Sequence, residues 1–287
     1  MPAQPAAQPP YEPQALAEGT TATAHSISMT LFGTHILRGD LAISSGSVID
    51  VLGSLNVSAA ATRSLLGRLV KDALLVRHPV GRQTYFSLTT GARETIGEGQ
   101  RLFWSSVDHR WDGTWTLLAF SFPDHWQRAR YELRARLHLG RFGRLQSGLW
   151  IAPSRVDVPT LLGDLEFIDD VRVFNARPEP PLTVERVIQE AFDIDALATR
   201  YRTIIERWQD INDDNVTDPL ATRMLMQTEW FDVVRSDPRL PLDHLPADWP
   251  GVQAERIVRR RDEQLSAAAG RDGWQRMDTI SVAQTQT

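Results

Sequence analysis

The 287-residue sequence contains no cysteine. That excludes disulfides, thiolate metal sites and cysteine nucleophiles, and it fits a reducing, cytoplasmic setting. Lys71 is the only lysine, against thirty arginines, a skew that reads as genome composition rather than mechanism. No apolar run approaches the roughly 18 residues of a membrane span, so no membrane partner is expected. There is no phosphate-binding loop, no HExxH pair and no strained Gly-x-Ser-x-Gly turn. The seven histidines are scattered without ligand spacing. These absences predict no metal, no cofactor and no enzymatic activity.

What is present divides unevenly. The net charge is -5, but residues 31–100 carry seven basic against five acidic groups and residues 101–177 eleven against nine. Residues 178–287 carry thirteen against twenty. Attraction to phosphate is local and screened beyond about 10 Å, so an acidic distal part does not prevent a basic part from meeting DNA. Residues 1–28 start with a run rich in Pro, Ala and Gln. They lack the basic start and apolar core of a secretory signal, and a disordered tail is expected there.

The most informative stretch runs from Val57 to Leu88. Ser58 can cap a helix whose apolar face is Ala61, Leu65, Leu66 and Leu69. Arg63, Ser64, Gly67, Arg68 and Lys71 share the other face. Ser47–Gly53 suits the helix before it and Leu31–Leu37 the first helix. Leu74–Arg77 and Gln83–Leu88 are rich in strand formers, joined by a turn through Pro79, Val80, Gly81 and Arg82. Tyr85 and Ser87 alternate with Phe86 and Leu88, which predicts one polar face. This order is a winged helix-turn-helix, a shape that puts one helix into the DNA major groove. The expected DNA contacts are Ser58, Arg63, Ser64, Arg68, Lys71, Arg77 and Arg82. Arg63 and Ser64 would approach bases, while Arg68, Lys71 and Arg82 would hold phosphates and Arg77 would flank the wing tip.

Further on, Gly91–Arg110 suits a linking helix. Then come a strand to Phe122, an arginine-rich helix Trp126–Leu139, strands meeting near Gly148, a helix Val158–Leu165 and a strand Val171–Asn175. Strand, helix, two strands, helix, strand is the ferredoxin-like order. This segment also resembles the small nuclease-fold subunit of CRISPR adaptation complexes, in which an aspartate after the first strand is proposed to hold a metal. Asp124 occupies that place here, and a metal-dependent nuclease is the alternative function. The plainer role for Asp124 is to cap the next helix.

Two apolar stripes follow, Ile194 to Ile211 and Leu220 to Val234, spaced as helices in a bundle or dimer seam. A proline-rich turn leads to a last helix, Val252–Ala269. The fold class is thus α+β in three parts. A winged helix covers 29–91, a linking helix 92–110, a ferredoxin-like domain 111–177 and a helical domain 178–269, with a second tail over 270–287.

In order along the chain, several motifs resemble the PaaX-type transcriptional regulators of phenylacetate catabolism. They are Leu31-Phe32-Gly33, Thr62-Arg63-Ser64-Leu65-Leu66-Gly67-Arg68-Leu69, Gly81-Arg82-Gln83-Thr84-Tyr85 and Trp111-Asp112-Gly113-Thr114-Trp115. Phe142-Gly143 with Gly148–Pro153, and Asp237-Pro238-Arg239-Leu240-Pro241 with Leu245–Gly251, complete the set. The resemblance implies a homodimeric one-component repressor of a catabolic operon. It would bind a palindromic double-stranded operator and be released by a small effector, an aromatic acid or its CoA thioester. Family members often carry arginine just before the Asp-Pro-x-Leu-Pro turn, where this chain has Trp230-Phe231-Asp232. A CoA thioester would want arginines there, so a merely aromatic effector stays open. The expected effector residues are Arg141, Tyr201, Trp208, Arg223 and Trp230, where the middle and C-terminal parts meet.

Overall fold

The computed structural model describes residues 22–37, 40–105, 107, 111–123, 125–163, 165, 168–211 and 216–282. The architecture is mixed helix and sheet, with two four-stranded antiparallel sheets. The chain forms two compact units. One takes residues up to Ser105 together with Ile204–Arg235 and Arg256–Thr287; the other takes Ser106–Thr203 and Ser236–Glu255.

The first unit begins with α1 (Ala24–His35). A capping box between Thr23 and Ser26 starts it, the Ser26 amide donating to Thr23 Oγ1 and the Thr23 amide to Ser26 Oγ. The helix therefore begins well before Leu31, and residues expected in the N-terminal tail belong to the core; Ile27 is fully buried. Next come β1 (Leu41–Ser44), α2 (Ser45–Gly53), α3 (Ala59–Lys71), β2 (Leu75–Val80), β3 (Gln83–Leu88) and α4 (Thr90–Trp104). Gly33 lets α1 and α4 touch: a Cβ there would sit 2.7 Å from Ile96 Cγ2.

The sheet order is β2-β3-β1-β8, where β8 is Thr279–Ser281. Residues 271–282, expected as part of a frayed end, are thus structured. The last helix, α10, runs Gly251–Arg276, and β8 pairs antiparallel with β1. The Arg276 guanidinium ties this end down through Asp50 and Asp218, at 2.7 and 2.9 Å. Tyr85, Phe86, Ser87 and Leu88 are all buried, so the polar groups of the Tyr85 and Ser87 face are met inside the protein instead of by solvent. The Tyr85 hydroxyl lies 2.5 Å from Gln83 Oε1 and 2.9 Å from Asp278 Oδ2, satisfied inside rather than by water.

The remaining helices of this unit are paired through buried charge. They are the end of α8 (Ile194–Trp208), α9 (Pro219–Ser236) and most of α10. Arg223 on α9 holds Asp262 on α10 with two hydrogen bonds of 2.8 and 3.1 Å, and Gln227 adds a third at 2.7 Å. Arg207 reaches Glu229 at 2.7 Å.

The second unit carries β4 (Trp115–Phe120), α5 (Gln127–Leu139), β5 (Gly143–Gln146), β6 (Leu149–Ala152), α6 (Val158–Leu162), β7 (Val171–Ala176) and α7 (Val184–Ala191). The order of its sheet is β5-β6-β4-β7. Alternation along β4 feeds two cores. Leu118 joins Leu133, Leu137, Trp150 and Leu162 on the face of α5 and α6. Trp115 joins Ile151, Val187, Ile188 and Leu240 on the other. The N-cap of α5 is Trp126, with no side-chain cap, and Asp124 lies outside the described residues.

Candidate nucleic-acid interface

α3 is set by its own ends. Ser58 has extended backbone and its Oγ accepts the Ala61 amide at 3.2 Å, as an N-cap should. Its hydroxyl proton remains available to a phosphate oxygen. The link from α2 turns at Asn56, whose φ of 59° is the left-handed conformation that asparagine tolerates. Thr62, Leu65, Leu66 and Leu69 are buried. Thr62, not Ala61, completes this face, and its hydroxyl is satisfied by the Ser58 carbonyl at 3.2 Å.

At about 100° per residue, these four side chains fill an arc of about 100°. Arg63, Gly67, Lys71, Ser64 and Arg68 fill an opposing arc of about 140°. All four side chains on that arc are exposed. Among the described residues none of the three cations there forms an ion pair. A Cβ on Gly67 would meet nothing within 4 Å, so its backbone is open to close approach. Arg63 to Lys71 spans about 12 Å of helix axis, the rise of three to four base pairs.

The β2–β3 hairpin lies next in sequence. Val80 pairs with Gln83, which leaves Gly81-Arg82 as a two-residue turn. Gly81 has φ of 59°, the first-position glycine that a tight hairpin of this length favours. The turn is shorter than the four residues expected, because Pro79 and Val80 stay in the ladder. β2 is an edge strand, where proline is tolerated. Arg82 is exposed at the tip, and Arg77 lies over the Phe86 ring at 5.9 Å. The structure thus brings Arg63, Ser64, Arg68 and Lys71 onto one helix face and puts Arg82 on the tip of the hairpin that follows.

Three family models match in succession. A "PaaX-like protein" model covers residues 23–92, a "PaaX protein central Cas2-like domain" model 108–188, and a "PaaX-like protein C-terminal domain" model 192–272. The chain belongs to the PaaX family. It is 26% identical over 259 residues to the transcriptional repressor PaaX of Escherichia coli (strain K12), spanning 85% of this chain and 81% of that protein. An uncharacterized protein from Mycobacterium tuberculosis shares the fold, with a TM-score of 0.60 at 22% identity over 86% of this chain and 97% of that one.

The residues expected at an effector site fall into two groups in this PaaX-family chain. Arg141 and Tyr201 belong to the second unit. The Tyr201 hydroxyl donates to Asp237 Oδ2 at 2.5 Å, and burial, followed by the Asp237 charge, pushes its pKa up. The Asp237 carboxylate also accepts the Arg239 amide at 2.6 Å. Arg141 is half-buried; desolvation and then the Arg239 charge lower its pKa. Both arginines have left-handed backbone, with φ of 62° and 60°. Asp237 and Arg239 escaped the site reading, although their Asp-Pro-Arg-Leu-Pro motif stood out.

Trp208, Arg223 and Trp230 belong to the first unit and serve its interior. The Trp208 indole donates to Glu229 at 2.9 Å and the Trp230 indole to the Phe103 carbonyl at 3.3 Å. Arg223 is occupied by Asp262. Among the described residues no group of three or more His, Asp or Glu side chains is placed to hold a metal, and no helix is long and apolar enough to cross a membrane.

Proposed function

We propose that this chain is a DNA-binding transcriptional repressor in which α2, α3 and the β2–β3 hairpin act as a winged helix-turn-helix. The exposed basic arc of α3, unpaired among the described residues, carries the reading. A helix of about 10–12 Å diameter fits a major groove about 12 Å wide. Arg63 and Ser64, in the first turns, read base edges; Arg68 and Lys71 hold phosphates and Arg82 contacts the backbone from the wing. Ser58 and Arg77 steady the two ends of this surface. The repressor role is carried over from the Escherichia coli relative, and a homodimer would place two such helices on a palindromic operator.

The middle sheet, with α5 and α6 on one face, is read as a ferredoxin-like domain that serves as sensor and dimer platform. A small aromatic acid, or its CoA thioester, binds at Arg141, Tyr201, Asp237 and Arg239 and releases the repressor from its operator. There the arginine pair favours an anion, and binding shifts the dimer away from the spacing that DNA requires. The test is a gel-shift titration of DNA from upstream of the chain's own gene. Arg63→Ala and Arg68→Ala should each weaken binding roughly tenfold or more while leaving the thermal midpoint in place. Unchanged affinity in both variants would remove α3 from the interface.

A further inference from the structure

α5 is the most basic helix of the second unit. Residues 127–144, which take in α5 and the start of β5, hold six arginines against one glutamate, in a chain whose net charge is -5. The charged side chains of α5 fall on three lines. Toward α6, Arg136 donates to the Leu161 carbonyl at 3.4 Å. Further round the helix Arg128 is paired with Glu132 at 2.8 Å. The third line is a ridge of residues four apart, Arg130, Arg134 and His138. Arg130 is half-buried and donates to the Phe122 carbonyl at 2.5 Å; Arg134 and His138 are exposed.

The edge strand β5 extends this ridge. The His138 ring meets the Trp150 indole edge-on at 5.3 Å, and Trp150 stands opposite Arg144 in the β5–β6 pair. Residues directly opposite in an antiparallel pair share a face of the sheet. Arg144 and His138 therefore flank the same indole on the same face. Arg144 is exposed. Among the described residues neither Arg134 nor Arg144 forms an ion pair. Tyr131, 76% exposed, lies one turn from Arg134 and adds a hydroxyl donor beside the ridge.

These cations form a line and not a focus. Arg130 to His138 covers about 12 Å of helix axis, and Arg144 continues the line onto the sheet edge. A single small anion would engage one of them; a polymer with charges repeated every few ångströms engages them all. Double-stranded DNA carries one charge per about 1.7 Å of its axis, and a guanidinium fits phosphate with two parallel N–H bonds. We propose that Arg134, His138 and Arg144 form a second DNA-contacting surface, which holds phosphates without reading bases. The inference rests on the DNA-binding function proposed above and adds to α3 a sequence-independent contact from the other unit.

The full-length protein is titrated over a range of salt against upstream DNA and against an unrelated duplex of the same length. The Arg134→Ala/Arg144→Ala variant is compared with Arg172→Ala/Arg177→Ala, which removes the same charge from exposed positions on and just after β7. Each lost phosphate contact lowers the slope of log affinity against log salt by about 0.9, so the ridge variant should be shallower by about 1.8 on both duplexes and bind both roughly tenfold more weakly. The charge-matched variant should keep the wild-type slope, and both should keep the wild-type thermal midpoint. A ridge variant with the wild-type slope, or a charge-matched variant that falls as far, overturns the ridge and leaves α3 standing. A loss confined to the upstream duplex overturns its independence of sequence. Wild-type protein that binds neither duplex overturns the ridge and the DNA-binding function together.

Discussion

The cations of α3 and those of α8 and α9 discussed below, Arg207 and Arg223, belong to one compact unit and have opposite fates. Arg223 and Asp262 are each under 15% exposed and bonded to each other, and Arg207 closes on the nearly buried Glu229. Arg63, Arg68 and Lys71 stand in solvent and pair with nothing among the described residues. A buried charge must be neutralised locally or the fold loses several kcal/mol. An exposed one contributes little to stability. The first set is therefore spent on the fold, and the second is free for an anionic partner. Substitutions should separate the two cleanly.

The largest effect is expected from Asp262→Ala, which strands Arg223 and removes three hydrogen bonds. It should cost about 3–5 kcal/mol in denaturant unfolding. A loss below about 1 kcal/mol would mean that these interior pairs matter no more than surface ones.

Next comes pH. His35 lies in the same interior, its Nε2 buried without a hydrogen-bond partner among the described residues. Burial, then the Arg223 charge, lowers its pKa to about 4 from 6.5. The folded state thus holds His35 neutral while the unfolded chain protonates below 6.5. Its contribution is complete above that pH and is lost as pH falls toward about 4, amounting to about 3 kcal/mol at full extent. His35→Leu should flatten the stability curve over that window. A curve that keeps its slope would place the titration elsewhere.

Arg63→Ala should come third, weakening DNA binding by about 1–3 kcal/mol and changing folding stability by less than about 0.5 kcal/mol. The smallest effect sharpens the contrast further. Gly67→Ala should raise helix stability by up to about 1 kcal/mol, since the new Cβ meets nothing in the free protein. The same methyl should weaken DNA binding by crowding the close approach. Stabilisation without loss of binding would show that nothing comes near Gly67.

Legibility followed the same divide. α3 could be read because its cap, its apolar spacing and its basic arc are all local, and the structure moved only Ala61 out and Thr62 in. The early start of α1 was hidden because Thr23 and Ser26 cap it within a small-residue stretch that looks like tail. β8 is three residues long and gains meaning only from pairing with β1, which local pattern cannot report. The indoles of Trp208 and Trp230 looked like ligand rings because sequence does not say which N–H groups the interior already satisfies. The partner of Arg223 was illegible for the same reason, its carboxylate standing 39 positions away.

The contrast between free and spent cations is tested most directly by salt. The affinity of the full-length protein for its upstream DNA is measured by fluorescence anisotropy over a range of salt concentrations. Wild type is compared with the Arg68→Ala/Lys71→Ala double variant. Each lost phosphate contact should reduce the slope of log affinity against log salt by about 0.9, so the double variant should be shallower by about 1.8, with its thermal midpoint unmoved. An equal slope in the two proteins would contradict the claim that this face of α3 binds DNA.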